Sequence, residues 1–384
     1  MSGALWVALG ALAVMLYTYA GYPVLIALLA RLRPARRLAA AAASRWEPSV
    51  SVLLPVSNSS AVVEAKIASL QALDWPRDKL QILVYSDGST DDTVAKLKQL
   101  VAADPTHIEI VVAEQRFGKP TALNRLRELA TGEVLLMTDA RQPIATGALR
   151  ALCACLADPR VGCAAGNMIL RGATGAGAYW KYEKWMRENE ARFRSMVGVS
   201  GALYALRRED FAPLPTSLIL DDMWVPMRLR LQGRDIVFVP EAQFFDEAFD
   251  DDKEFRRKVR TLAGNFQLMA WMPRLLVPFA NPSWLEFFSH KVLRLICPIA
   301  MIALAIATGV GLAQMPVSTD DWRSVLLLLL LAGQVGFYAF AFVGPFLPGP
   351  LRKLGGLART FVVLNAAALM GFWRWLTGGQ AVTW

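Results

Sequence analysis

The stretch Ala4–Ala30 contains no charged residue and is long enough to cross a bilayer as a single helix. Lipid offers no partner for backbone N–H and C=O groups, so such a stretch folds as a helix or not at all. A secretory signal has a shorter apolar core, basic residues before it and a small-residue cleavage site. Here the basic residues follow, at Arg31, Arg33, Arg36 and Arg37. They put the end of this helix in the cytoplasm and its start outside. Three more spans are expected at Val292–Gln314, Val325–Leu347 and Ala358–Leu376. Lys291 and Arg294 open the first. Asp320 and Asp321 sit in the loop after it, and Arg352, Lys353 and Arg359 in the loop before the last. The basic residues therefore fall on one side each time. The expected protein is a multi-pass plasma-membrane protein with a cytoplasmic middle domain and both termini outside. Trp373, Trp375 and Trp384 suit the far interfacial belt.

Composition agrees with a mixed molecule. With 55% hydrophobic and 19% charged residues, the chain is too apolar for an ordinary soluble enzyme and too charged for a pure membrane bundle. The net charge of +9 comes largely from residues beside apolar segments, which points to a membrane-lipid face and away from nucleic acid. Cys153, Cys155, Cys163 and Cys297 have no metal-ligand spacing, and only His107 and His290 could join them. They read as small buried thiols. The expected division is a span over 1–30, a basic linker over 31–47, a cytoplasmic domain over 48–265, proline-broken interfacial helices over 266–290 and three spans over 291–384. A fifth span over 266–290 is the alternative.

The middle domain alternates strand and helix. Ser49–Pro55, Leu80–Tyr85, Ile108–Ala113 and Glu133–Thr138 are short apolar runs of strand composition. Ala61–Ala72, Val94–Ala103 (capped by Ser89 or Thr90), Pro120–Ala130 and Ala145–Leu156 have helical patterns between and after them. That alternation predicts an α/β domain with a mainly parallel sheet covered on both faces. Ligands of such sheets sit beyond the carboxyl ends of the strands. Asp87 follows the second strand and Asp139 the fourth, so both acids reach one edge. Asp87 in Asp-Gly also reads as a turn residue. Lys119, between Gly118 and a helix start, suits a diphosphate but also reads as a solvated loop lysine. Asp221 and Asp222 precede another helix, where acids favour the N-terminus whatever else they do.

Taken in order, Pro55-Val56-Ser57, Ser86-Asp87-Gly88-Ser89, Gly118-Lys119-Pro120-Thr121-Ala122-Leu123-Asn124 and Thr138-Asp139-Ala140 resemble the family 2 glycosyltransferases. The resemblance runs from about Pro48 to Gln267. The tail is similar to membrane synthases of the chitin-oligosaccharide, hyaluronan and cellulose type. The resemblance implies a GT-A fold, Rossmann-like and mainly parallel, beside an α-helical transmembrane region. It implies a hexosyltransferase that moves a sugar from a UDP-sugar, with inversion, to a glycan or lipid-linked acceptor at the cytoplasmic membrane face. Exopolysaccharide or cell-surface glycan synthesis is the expected setting. Pro55, Asp87, Lys119, Asp139 and Arg260 are then the donor-binding residues, with Asp87 on the uracil. Asp222 is the catalytic base, and Asp221 and Trp224 face the acceptor. Asp139 is the expected ligand of Mg²⁺ or Mn²⁺.

Three departures stand out. Arg141 occupies the second acidic position of the Asp-x-Asp motif, and Ser59 follows Asn58 where an acid is usual. Arg257-x-x-Arg260-Thr261 stands where processive members carry Gln-x-x-Arg-Trp, so processivity is not implied. The aromatic stripe Tyr179, Tyr182, Trp185, Met186 and Phe193 reads first as packing. Two other readings remain: non-processive transfer of one sugar to a lipid carrier, and a non-catalytic nucleotide-binding member of a secretion complex. Four spans are few for a private channel, which leaves room for a homo-oligomer or a secretion partner.

Overall fold

The computed structural model describes residues 3–33, 46–104, 107–171, 177–247, 251–314 and 318–381. Arg36, Arg37, Pro316 and Trp384 lie outside them. The elements in chain order are helix α1 (Gly3–Leu32, with a π-turn at Tyr17–Gly21), strand β1 (Val50–Val56), α2 (Val63–Gln71), β2 (Leu80–Asp87), α3 (Thr93–Ala103), β3 (Ile108–Ala113), α4 (Lys119–Leu129), β4 (Val134–Thr138), α5 (Ala148–Leu156), β5 (Val161–Arg171), α6 (Gly177–Phe193), β6 (Leu203–Arg207), α7 (Asp221–Leu231), β7 (Asp235–Glu247), α8 (Asp251–Trp271), α9 (Trp284–Ala313, with a π-turn at Phe288–Val292), α10 (Trp322–Val343) and α11 (Gly349–Leu376).

The seven strands form one sheet in the order β3-β2-β1-β4-β6-β5-β7. β1 pairs in parallel with β2 and β4, and β2 with β3. β6 runs antiparallel to both neighbours, so the sheet is mixed on that side. Along β1 the side chains alternate between two cores. Val50, Val52, Leu54 and Val56 face Ile67, Leu70, Leu149 and Leu152 from α2 and α5. Leu53 faces the other way, toward Leu123, Leu126, Met223 and Met227 from α4 and α7. Both faces are therefore covered, which is why β1, β2 and β4 are near-continuous apolar runs.

Proline does not end β1: the strand continues to Val56, and Pro55 stays buried opposite Tyr85. Pairing with β4 stops at Leu53, two residues earlier, so the ring sits where one side of β1 has no ladder. The cap of α3 also differs from expectation. Neither Ser89 nor Thr90 supplies it; Asp91 Oδ1 accepts from Thr93 N at 3.1 Å, and Asp91 Oδ2 accepts from Ser60 N at 3.1 Å. One carboxylate thus ties the loop after β1 to the loop after β2.

Four helices, α1, α9, α10 and α11, are long and apolar enough to cross a membrane. α9 begins eight residues before the expected Val292, because the polar turn at Ser289–Lys291 is absorbed as a π-turn instead of breaking the helix. α11 begins at Gly349, so Arg352, Lys353 and Arg359 lie on its first turns and not in a loop. Gly355 and Gly356 lower helix propensity there, but the helix runs through them, with Gly355 packed on Gly344 and the long basic side chains on its surface. α8 runs unbroken through Asn265 to Trp271. The stripe on α6 is packing, as expected. Tyr182, Met186 and Phe193 lie against Tyr22 and Ile26 of α1. The four cysteines are buried free thiols.

Candidate active site

The carboxyl ends of β1, β2 and β4 meet at one edge of the sheet, and the sequence-predicted acids meet there too. Asp87 closes β2 and is fully buried. Its Oδ1 accepts from Phe117 N at 2.7 Å and its Oδ2 from Gly118 N at 2.9 Å. It thereby clamps the loop leading into α4. Gly88 beside it has φ +57°, and a Cβ there would meet Arg116 N at 2.7 Å, so the turn takes only glycine.

Gly118, at φ +90°, starts α4 and turns Lys119 inward. Lys119 is 8% exposed. Its Nζ donates to Asp139 Oδ1 at 2.9 Å and lies 3.2 Å from Asp221 Oδ2. Burial pulls the ammonium pKa down, but Asp139, Asp221 and Asp222 outweigh it and push it up. Asp139 follows β4 immediately. Burial raises its carboxyl, yet Lys119, Lys66 and Arg257 hold it below the usual carboxylate range.

Asp221 and Asp222 open α7, where the helix dipole and unpaired N–H groups favour negative charge. Asp222 behaves differently from its neighbours. Burial and the adjacent Asp221 push its carboxyl up to about 6, with Lys119 and Arg260 only partly opposing. Gly201 marks the centre of the cluster. A Cβ on it would lie 3.0 Å from Lys119 Nζ, 3.6 Å from Asp139 Oδ2 and 3.6 Å from Asp222 Cβ. Asp139, Lys119, Asp221 and Asp222 therefore surround one small space, open because residue 201 has no side chain.

α8 brings the basic residues. Arg257 acts on Asp139, and Arg260 on Asp222. Arg260 Nη2 also donates to Ile219 O at 3.4 Å, while its buried Nε has no hydrogen-bond partner. Trp224 is half-buried and stands edge-on to Trp271 of α8, with ring centroids 6.0 Å apart. Pro55 lies within β1, beneath the loop that carries Ser57.

Two participants were not legible as site residues. Lys66 of α2 is buried and donates to Thr138 Oγ1 and to Gln142 O, each at 2.6 Å. Burial lowers its pKa to about 7, with Asp139 partly offsetting. Thr138 Oγ1 passes the bond on to Ala202 O at 2.8 Å, fixing the turn after β4 against the start of β6. Asp246 of β7 accepts from Arg141 Nη2 at 2.7 Å and from Gln142 Nε2 at 3.0 Å. A periodic pattern on α2 and an aromatic strand around Asp246 gave no sign of either role.

The residues do not fit a divalent ion. Among the described residues, no three His, Cys, Asp or Glu side chains gather to hold one. Asp139 is engaged by Lys119, and Asp246, the nearby acid on β7, is engaged by Arg141 and Gln142.

A mannosyltransferase from Pyrobaculum calidifontis, solved with GDP-Man and Mn²⁺, superimposes with a TM-score of 0.74 at 22% identity, covering 96% of this chain and 99% of that one. The middle domain is a GT-A domain. Residues 51–212 match the family described as glycosyl transferase family 2. An N-acetylglucosaminyltransferase of Rhizobium leguminosarum is 28% identical over 42% of this chain and 39% of its own length. A beta-monoglucosyldiacylglycerol synthase of Nostoc is 24% identical over 51% of this chain and 44% of its own length. The chain thus spans about two fifths of these curated relatives.

Proposed function

We propose that this protein is an inverting, membrane-embedded hexosyltransferase that takes a sugar from a UDP-sugar at the cytoplasmic membrane face. The observation that carries it is Asp222, a carboxyl raised to about 6 and set beside Gly201 with Lys119 and Asp139 at the sheet edge. A base poised near neutral pH is what an attacking hydroxyl requires. Asp222 takes the proton from the acceptor O–H. The oxygen attacks the anomeric carbon, the bond from that carbon to the phosphate oxygen breaks, and its electron pair leaves on the nucleoside diphosphate. Lys119 and Arg260 stabilise that leaving charge. Asp87 holds the loop that receives the nucleotide, on the side of the uracil. Much of the rate comes from holding the hydroxyl and the anomeric carbon in line.

The acceptor is a lipid-linked glycan, and transfer is non-processive. One face of α6 packs on membrane helix α1, while Trp180, Lys184 and Arg187 line a cavity that reaches Asn167 and Ser200, next to Gly201. Asn167 is buried with an unpartnered Oδ1, ready to accept from a sugar hydroxyl.

The test is release of nucleoside diphosphate by the full chain in nanodiscs, across UDP- and GDP-sugars and lipid-linked acceptors, with the products sized by mass spectrometry. A single added sugar is expected. A ladder of products overturns the non-processive reading, and no release with any donor overturns the enzyme and favours a nucleotide-binding role in a secretion complex.

A further inference from the structure

We propose that Arg141 takes the place of the divalent ion, so that the donor diphosphate is neutralised by side-chain cations alone. This rests on the glycosyltransferase reading above. Two residues after Asp139, where an acid would offer an ion a second oxygen, stands Arg141. Its guanidinium lies near enough to Asp139 and Arg257 for both to act on it. Nη2 bonds Asp246 Oδ2 at 2.7 Å, and Asp246 is only 4% exposed. Gln142 donates to the same oxygen. The acid that would best complete an ion's ligand set is thus already spent on a guanidinium. Asp139 and Asp221 are both already paired with Lys119, and Asp139 also feels Lys66 and Arg257. A divalent ion beside that many cations gains little from one carboxylate, because unlike and like charges at similar distances offset each other. The same charge excess is what a diphosphate needs.

Arginine suits the role. Its planar fork offers five donors, enough to hold Asp246 and still reach phosphate oxygens, and it stays charged at every working pH. Lys119 supplies a point charge from the other side of Asp139, as it does from the start of α4. The Arg141–Asp246 pair therefore preorganises a cation two residues after Asp139.

The experiment measures UDP affinity of the full chain by calorimetry, with GDP as a second probe, in EDTA and in Mn²⁺. Wild type is expected to bind equally well in both, within about twofold. Arg141→Asp is expected to lose about tenfold or more in EDTA and to recover in Mn²⁺, with a bound-Mn²⁺ signal in electron paramagnetic resonance that wild type lacks. Asp246→Asn, a milder change, is expected to weaken UDP binding without creating metal dependence. Wild-type affinity that collapses in EDTA and returns with Mn²⁺ overturns the inference. That result would leave the transferase reading intact, which fails only if no donor is turned over in either condition.

Discussion

Asp222 and Asp139 lie on either side of Gly201, yet their environments push their carboxyls in opposite directions. Asp139 is held charged by three cations; Asp222 is lifted to about 6 by burial and by Asp221. Opposed shifts of this kind separate a binding group from a base. Asp222→Asn is expected to reduce turnover about 10²- to 10⁴-fold while UDP affinity holds; turnover near wild type would refute its role as base. The pH profile follows. The rate should fall as pH drops through about 6, as Asp222 gains its proton. Stability runs the other way: a raised folded pKa favours the protonated form, so its contribution is present below the ordinary carboxylate pKa and is lost as pH rises through about 6. An activity limb at low pH paired with no such stability trend would contradict this assignment. Asp87, Lys119, Asp139 and Asp222 were legible because strand ends and helix starts place them. Lys66 and Asp246 were not, because each reaches the site only through long-range packing, from α2 and from β7.

At the scale of elements, α8 couples the acids to the apolar tail. Gly264 sits so tightly against the residue before Asp221 that a Cβ would meet Leu220 Cγ at 2.4 Å. Across the same helix, a Cβ on Gly371 of α11 would meet Ala263 N at 2.9 Å. Phe266 stacks on Trp375, with centroids 5.8 Å apart. Gly264→Val is expected to cost about 1–3 kcal/mol by overpacking and, by displacing α7, to lower kcat about a hundredfold. Gly356→Ala, with nothing within 4 Å of its Cβ, is the control and should leave kcat unchanged. Equal effects of both, measured by thermal unfolding and turnover, would show that α8 does not position the acids. The strand–helix alternation from β1 to α5 was readable from periodicity. The antiparallel β6 was not, since a short apolar strand carries no mark of its direction.

For the whole molecule, the contacts of α11 place it along the catalytic side. Ala4, Gly311 and Leu327 meet at one end of the bundle. At the other end Tyr17 OH and Ser289 Oγ are 3.0 Å apart, and Tyr22 OH donates to Glu190 Oε1 of α6 at 2.7 Å. α11 touches this second end: Gly355 packs on Gly344, Phe361 on Tyr19, and Gly371 on α8. Its cations Arg352, Lys353 and Arg359 and its exposed Leu351, Leu354, Phe372 and Trp373 suit an interfacial helix. A single cysteine at Gly379 is expected to label from the side of the catalytic domain, not from outside as the sequence led one to expect. Labelling only from outside would restore a fourth crossing.

Local chemistry was enough to set the apolar helices, the α/β alternation and the acids at strand ends, because periodicity, charge and turn residues act over a few neighbours. The partner of Arg141, the raised carboxyl of Asp222 and the course of α11 were decided only by the folded chain. Each depends on which distant group ends up within a few ångströms, and on how much water the packing removes.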